Sequence, residues 1–126
     1  MSVEFRDELP EKCPPGGVQE IAAETTVYRI VRNNPPTSDD FRSQRQEQPN
    51  AAFSVDECLA RGLSVWADQV AAAQRLRLPK FRNARVCRLK LTAGAGKIMQ
   101  TFKPEHRTWW PYRTYDPTTC CEVVAT

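Results

Sequence analysis

The chain has 126 residues, the commonest size of a single domain and enough to bury about two-thirds of its unfolded surface around one core. Apolar residues make up 40% and charged residues 26%, which excludes a disordered composition, and no apolar run approaches the roughly 20 residues of a membrane helix, or even the shorter h-region of a signal peptide. The net charge is only +3, but Arg75, Arg77, Lys80, Arg82, Arg85, Arg88, Lys90, Lys97 and Lys103 occur without an acid between Asp68 and Glu105, so positive charge is concentrated in one stretch.

Five cysteines (Cys13, Cys58, Cys87, Cys120, Cys121) are an odd number and two are sequence neighbours. Together with the charged opening MSVEFRDELPEK, this predicts five free thiols, a cytoplasmic location and no membrane partner. None of the spacings is C-x-x-C and there is one histidine, so no metal site is expected.

Residues 1–24 carry Pro10, Pro14, Pro15 and Gly16-Gly17 and read as an N-terminal arm or loop, leaving 25–126 as one domain. Thr25 to Arg32 is rich in β-branched and aromatic residues and is stopped by Asn33-Asn34-Pro35-Pro36, which predicts a strand. A short helix is expected from Thr37 or Ser38, with an exposed loop over 42–50. Ser54 and Glu57 form a capping-box pattern with Phe53 placed to staple onto Cys58, and Gly62 stands where a left-handed helix stop is expected; the pattern predicts a helix over 55–61. The apolar run from Leu63 to Trp66 leads into a second helix from Ala67 to Leu76. Alternation from Ala84 to Thr92, with Cys87, Leu89 and Leu91 on one face, predicts a half-buried strand. Further strands are expected over 97–102 and 120–125. The sum is a compact α+β domain: a mixed or antiparallel sheet with two or three short helices.

Gly94-Ala95-Gly96-Lys97 lacks the spacing and the Ser or Thr of a phosphate loop and reads as a turn. Arg29 lies on a strand face shared with Val27 and Val31, so its guanidinium must snorkel, pair with a carboxylate, or face a cavity where an anionic ligand neutralises it. His106 to Arg113 sets the only histidine beside Trp109, Trp110 and Tyr112 and two arginines, a loop suited to stacking a planar ring and holding phosphates. Two non-enzymatic readings follow. One is a nucleic-acid or nucleotide-binding module in which Arg75, Arg77, Lys80, Arg82, Arg88 and Lys90 meet phosphates and the tryptophan loop stacks bases. The other is an interaction module presenting Trp109 and Trp110 to a protein partner.

Gly62-Leu63-Ser64-Val65-Trp66-Ala67, followed by Ala71-Ala72-Ala73, resembles the strand and small-residue helix that wall the NAD pocket of the ADP-ribosyltransferase superfamily. Val27-Tyr28-Arg29-Ile30 is similar to the first strand of its small bacterial toxins named for an Arg-Glu-Ser triad. The resemblance implies NAD as ligand and cleavage of its nicotinamide–ribose bond. Arg29 would hold the pyrophosphate or ribose and Glu122 would orient the ribose and stabilise developing positive charge, with His106 as a further catalytic candidate. Tyr28 or Trp66 would stack on nicotinamide, and Ser64 and Trp109 complete the expected cofactor-binding set.

Overall fold

The computed structural model describes residues 4–126. Seven strands form one sheet: β1 (Gln19–Glu20), β2 (Thr25–Val31), β3 (Leu63–Trp66), β4 (Arg85–Leu91), β5 (Gly96–Gln100), β6 (His106–Pro111) and β7 (Cys121–Val124). Their order is β1-β5-β6-β3-β2-β4-β7, and every neighbouring pair is antiparallel. Three short helices accompany it, α1 (Gln44–Glu47), α2 (Glu57–Ala60) and α3 (Gln69–Arg75). The α+β expectation holds in its antiparallel form, with strand outweighing helix. No helix among the described residues is long and apolar enough to cross a membrane.

The two faces of the sheet follow from strand alternation. Val27 and Val31 of β2 and Cys87, Leu89 and Leu91 of β4 join Phe41, Leu63, Val65, Ile98 and Trp109 in the larger core. Tyr28, Ile30, Trp66 and Val86 take the opposite face, where Ala71, Ala72 and Ala73 of α3 pack close against them. Each fully buried Val or Leu contributes about 1.5–3 kcal/mol, so the alternating β4 anchors the sheet.

Sequence neighbours Trp109 and Trp110 sit on β6, not on a loop, and point to opposite faces. Both are fully buried. Trp109 donates its Nε1–H to the Ala95 carbonyl at 3.1 Å and Trp110 donates to the Cys58 carbonyl at 2.9 Å, so each buried indole has its acceptor. A strand buried on both faces shows no alternation, which is why 106–113 reads as a loop in the sequence.

Gly62 differs from expectation as well. It carries no left-handed φ; a Cβ there would lie 2.3 Å from Thr108 Cγ2 and 3.1 Å from Trp110 Nε1, so it is glycine because β6 passes so close. The cap of α2 also shifts by two residues. Asp56, not Ser54, accepts from the Cys58 amide at 2.8 Å, because the Glu57 side chain is taken by Arg45 (2.7 Å) and Arg61 (2.9 Å), charge-assisted bonds stronger than a neutral capping box.

The arm is tied to the body. β1 pairs with β5, Asp7 accepts from Ser43 Oγ at 2.7 Å and pairs with Arg61, and Cys13 forms a disulfide with Cys58 on α2. The bridge corrects the expectation of five free thiols and removes the cysteine argument for a reducing compartment. Free cysteines are Cys87, Cys120 and Cys121. Alkylation of unreduced, unfolded protein should therefore modify three thiols, rising to five after reduction; five without reductant would contradict the bridge.

Candidate functional site: a cleft at the parting of two strands

β2 pairs with β4 along its whole length, from Thr25↔Leu91 to Val31↔Arg85, but with β3 only at Tyr28↔Trp66. Beyond that single pair the strands diverge. A cleft of about 600 Å³ opens there, lined by Arg29, Ile30 and Arg32 from β2 and its end and by Gly62, Leu63, Ser64 and Trp66 along β3. That volume lies within the range of small-molecule sites.

Arg29 fills the parting. Its Nε–H donates to the Asp40 carbonyl (2.8 Å), Nη1 to the Ser64 carbonyl (2.8 Å) and Nη2 to the Arg42 carbonyl (3.2 Å). It belongs to none of the ion pairs among the described residues. Three carbonyls fix the guanidinium as a planar fork and leave its positive charge uncompensated by contact, and burial lowers its pKa from the ordinary value. Asp40 does not neutralise it through a side-chain contact. That carboxylate is buried and accepts from the Arg32 and Thr37 amides (2.7 and 2.9 Å) and Asn33 Nδ2 (3.1 Å), fixing the turn Ser38–Phe41 whose carbonyl holds Arg29.

The second wall is aromatic. Trp66 is 7% exposed, meets His106 edge-on at 5.2 Å, and its buried indole Nε1–H has no acceptor. His106 Nδ1 lies 2.9 Å from Thr101 Oγ1, which lies 2.7 Å from Thr108 Oγ1, so one buried chain of hydroxyls orients the imidazole. Burial, reinforced by the nearby charges of Arg75 and Arg107, holds its pKa below the ordinary range, so at pH 7 the ring is neutral.

The third wall is the segment from Arg42 to Leu59, which contributes Gln44, Glu47, Val55 and Leu59. Arg45 organises it. Its guanidinium sits 4.6 Å from the Phe53 ring centroid, donates to the Pro49 and Ala51 carbonyls at 2.8 Å and grips Glu57 through two 2.7 Å bonds. Those bonds lower the Glu57 carboxyl to about 2, from 4.5. A depressed carboxylate contributes stability that is present above its unfolded value and lost as pH falls through its folded one. Urea midpoints should therefore drop between about pH 4.5 and 2, and Glu57→Gln should flatten that part of the curve; an unchanged profile would remove the grip on this wall.

Of the site residues expected from the sequence, Arg29, Ser64, Trp66 and His106 line this one cleft, joined by Arg75 and Lys80. Tyr28 does not line it; its strand position sends it under α3. Trp109 is in the core. Glu122 lies on β7, beyond β4 from the cleft, ion-paired with Arg88, whose guanidinium holds its carboxyl below the usual range. Arg88 and Lys90 share a smaller hollow with Glu122, Cys120 and Cys121, while Arg77 and Arg82 are exposed and do not line the cleft. With Trp109 and Trp110 inside, the tryptophan loop foreseen as a stacking platform or partner surface is not assembled. Sequence reading missed Arg42, Glu47 and Phe102, which line the cleft together with Lys103 of the basic stretch. Their periodicity carries no signal because Arg42 and Phe102 sit on irregular connections and Glu47 ends the four-residue helix α1, too short to show a period. Phe102, expected inside the strand over 97–102, lies beyond the end of β5, 67% exposed with φ +62. No family model, curated protein or solved structure matches the chain.

Proposed function

We propose that the cleft binds a phosphate-bearing nucleotide, with NAD as the first ligand to test, and that the chain acts as an ADP-ribosyltransferase-like enzyme on the nicotinamide–ribose bond. One observation carries the proposal: Arg29 is held rigid by three carbonyls with no carboxylate in contact, the state in which an arginine is ready for an anion. Arg75 and Lys80 add positive charge to the same space, and the unpartnered Trp66 indole N–H offers a donor to the amide carbonyl of a planar ring. In this reading Glu47, a cleft-lining carboxylate outside every ion pair of the described residues, takes the ribose-orienting role expected of Glu122. Neutral His106 is a hydrogen-bonding partner rather than a second fixed cation.

NAD incubated with the protein should release nicotinamide, read by chromatography, and millimolar NAD should raise the melting temperature, since a ligand confined to the folded state stabilises it. Glu47→Gln should lose turnover while keeping most of that shift. No release and no shift with wild type would sink the proposal; a shift without release would leave a binding protein.

A further inference from the structure

We propose that the rim of the cleft is a docking surface for single-stranded nucleic acid, formed by the segment after α3 on one lip and the β5–β6 turn on the other. α3 ends at Arg75 and a turn follows at Pro79–Phe81, which brings Arg75, Arg77, Lys80 and Arg82 together within eight positions. None of them belongs to an ion pair among the described residues, and Arg77, Lys80 and Arg82 are exposed. On the opposite lip the turn presents Phe102 and Lys103. Arg75 and Lys80 from one side and Phe102 and Lys103 from the other line the same cleft, and the exposed Arg77 and Arg82 extend the charge along the same segment outside the lining.

Phe102 decides between polyanions. Its ring is 67% exposed and its backbone is in the left-handed region at φ +62, a conformation that bulky residues rarely adopt. The turn is pinned by the Lys103 amide on the Thr101 carbonyl (2.7 Å) and the His106 amide on the Lys103 carbonyl (3.0 Å), and the ring leans on His106 at 5.3 Å. A phenylalanine displayed in this way leaves most of its ring free for a partner. Acidic polypeptide needs cations only, whereas single-stranded nucleic acid offers a row of phosphates and a stackable face on every base, which matches basic side chains flanking an exposed ring. The rim shares Arg75 and Lys80 with the nucleotide reading, whereas Arg77 and Arg82 lie outside the cleft lining.

Polarisation of a labelled mixed-sequence oligonucleotide of about twelve nucleotides tests it. Affinity should fall with log affinity linear in log salt. Arg77→Glu with Arg82→Glu should weaken binding at least about tenfold at low salt, and Phe102→Ala should weaken it several-fold while leaving the salt slope unchanged. Lys90→Glu, in the separate hollow, should leave binding within about twofold of wild type, and thermal melts should show each variant folded. The proposal is overturned by no binding at low salt, by equal losses from Lys90→Glu, or by poly-glutamate of matched charge competing as well as the oligonucleotide, which would reassign the rim to acidic proteins.

Discussion

Arg29→Ala is expected to abolish the melting shift produced by NAD while leaving a folded protein. An ion pair broken in a core costs about 3–5 kcal/mol because a charge is stranded, but Arg29 has no carboxylate in contact, and Glu47 and Asp40 act on it only through space. What it leaves are the carbonyls of Arg42 and Ser64, exposed residues of an open cleft, and the carbonyl of the buried Asp40. Two effects oppose each other: loss of three hydrogen bonds destabilises, and removal of a desolvated cation stabilises. The net change should be about 1–2 kcal/mol, near the scale of one imperfectly replaced acceptor. The loss of affinity should be larger, at least about 30-fold, because truncating a desolvated charge against a phosphate costs about 2 kcal/mol or more. Arg29→Lys should not rescue, since one ammonium cannot span three carbonyls as a planar fork does. Collapse of Arg29→Ala in urea, with no NAD shift in wild type, would make Arg29 a structural residue only.

The largest loss of stability is expected from Gly96→Ala, at the start of β5. Gly96 has φ +133, and an added Cβ would stand 2.2 Å from the Trp110 carbonyl oxygen and 2.9 Å from Pro111 Cα. Both are backbone atoms of the paired strand, in register Gly96↔Pro111, so no side chain can swing aside. Strained φ and overpacking each cost about 1–3 kcal/mol, and the sum, about 3 kcal/mol or more, is a large part of a small domain's stability. Urea denaturation should show a midpoint far below wild type. Gly94→Ala is the control: Gly94 also has positive φ, at +89, but nothing lies within 4 Å of its added Cβ. Equal losses at the two positions would assign the effect to φ alone and not to the approach of β6.

Where the sequence was legible, one physical signal dominated. The alternation of Cys87, Leu89 and Leu91 named the buried face of β4, and the β-branched run from Thr25 marked β2, since half-buried strands impose a period of two. The burial pattern around Arg29 led to the cleft, because a charge between two valines has few resting places. β6 was hidden by burial on both faces, and the disulfide by an odd cysteine count that gives no information on pairing. Glu47 and Phe102 were illegible for a different reason: each is carried to the cleft by tertiary packing, from α1 and from the β5–β6 turn, with no local pattern. The strand order, with β7 paired to β4 at the sheet edge, leaves Glu122 away from the cleft.

The central claim, that the parting of β2 and β3 is a nucleotide site, is tested most directly by the three indole N–H resonances in a titration with NAD. Trp109 and Trp110 donate to the Ala95 and Cys58 carbonyls, and only Trp66 Nε1 lacks an acceptor at the cleft wall. The Trp66 indole signal should move with saturation while the other two stay, accompanied by the Arg29 and Ser64 amides. A titration that leaves Trp66 unmoved, or that shifts Arg88, Lys90 and Glu122 instead, would contradict the account.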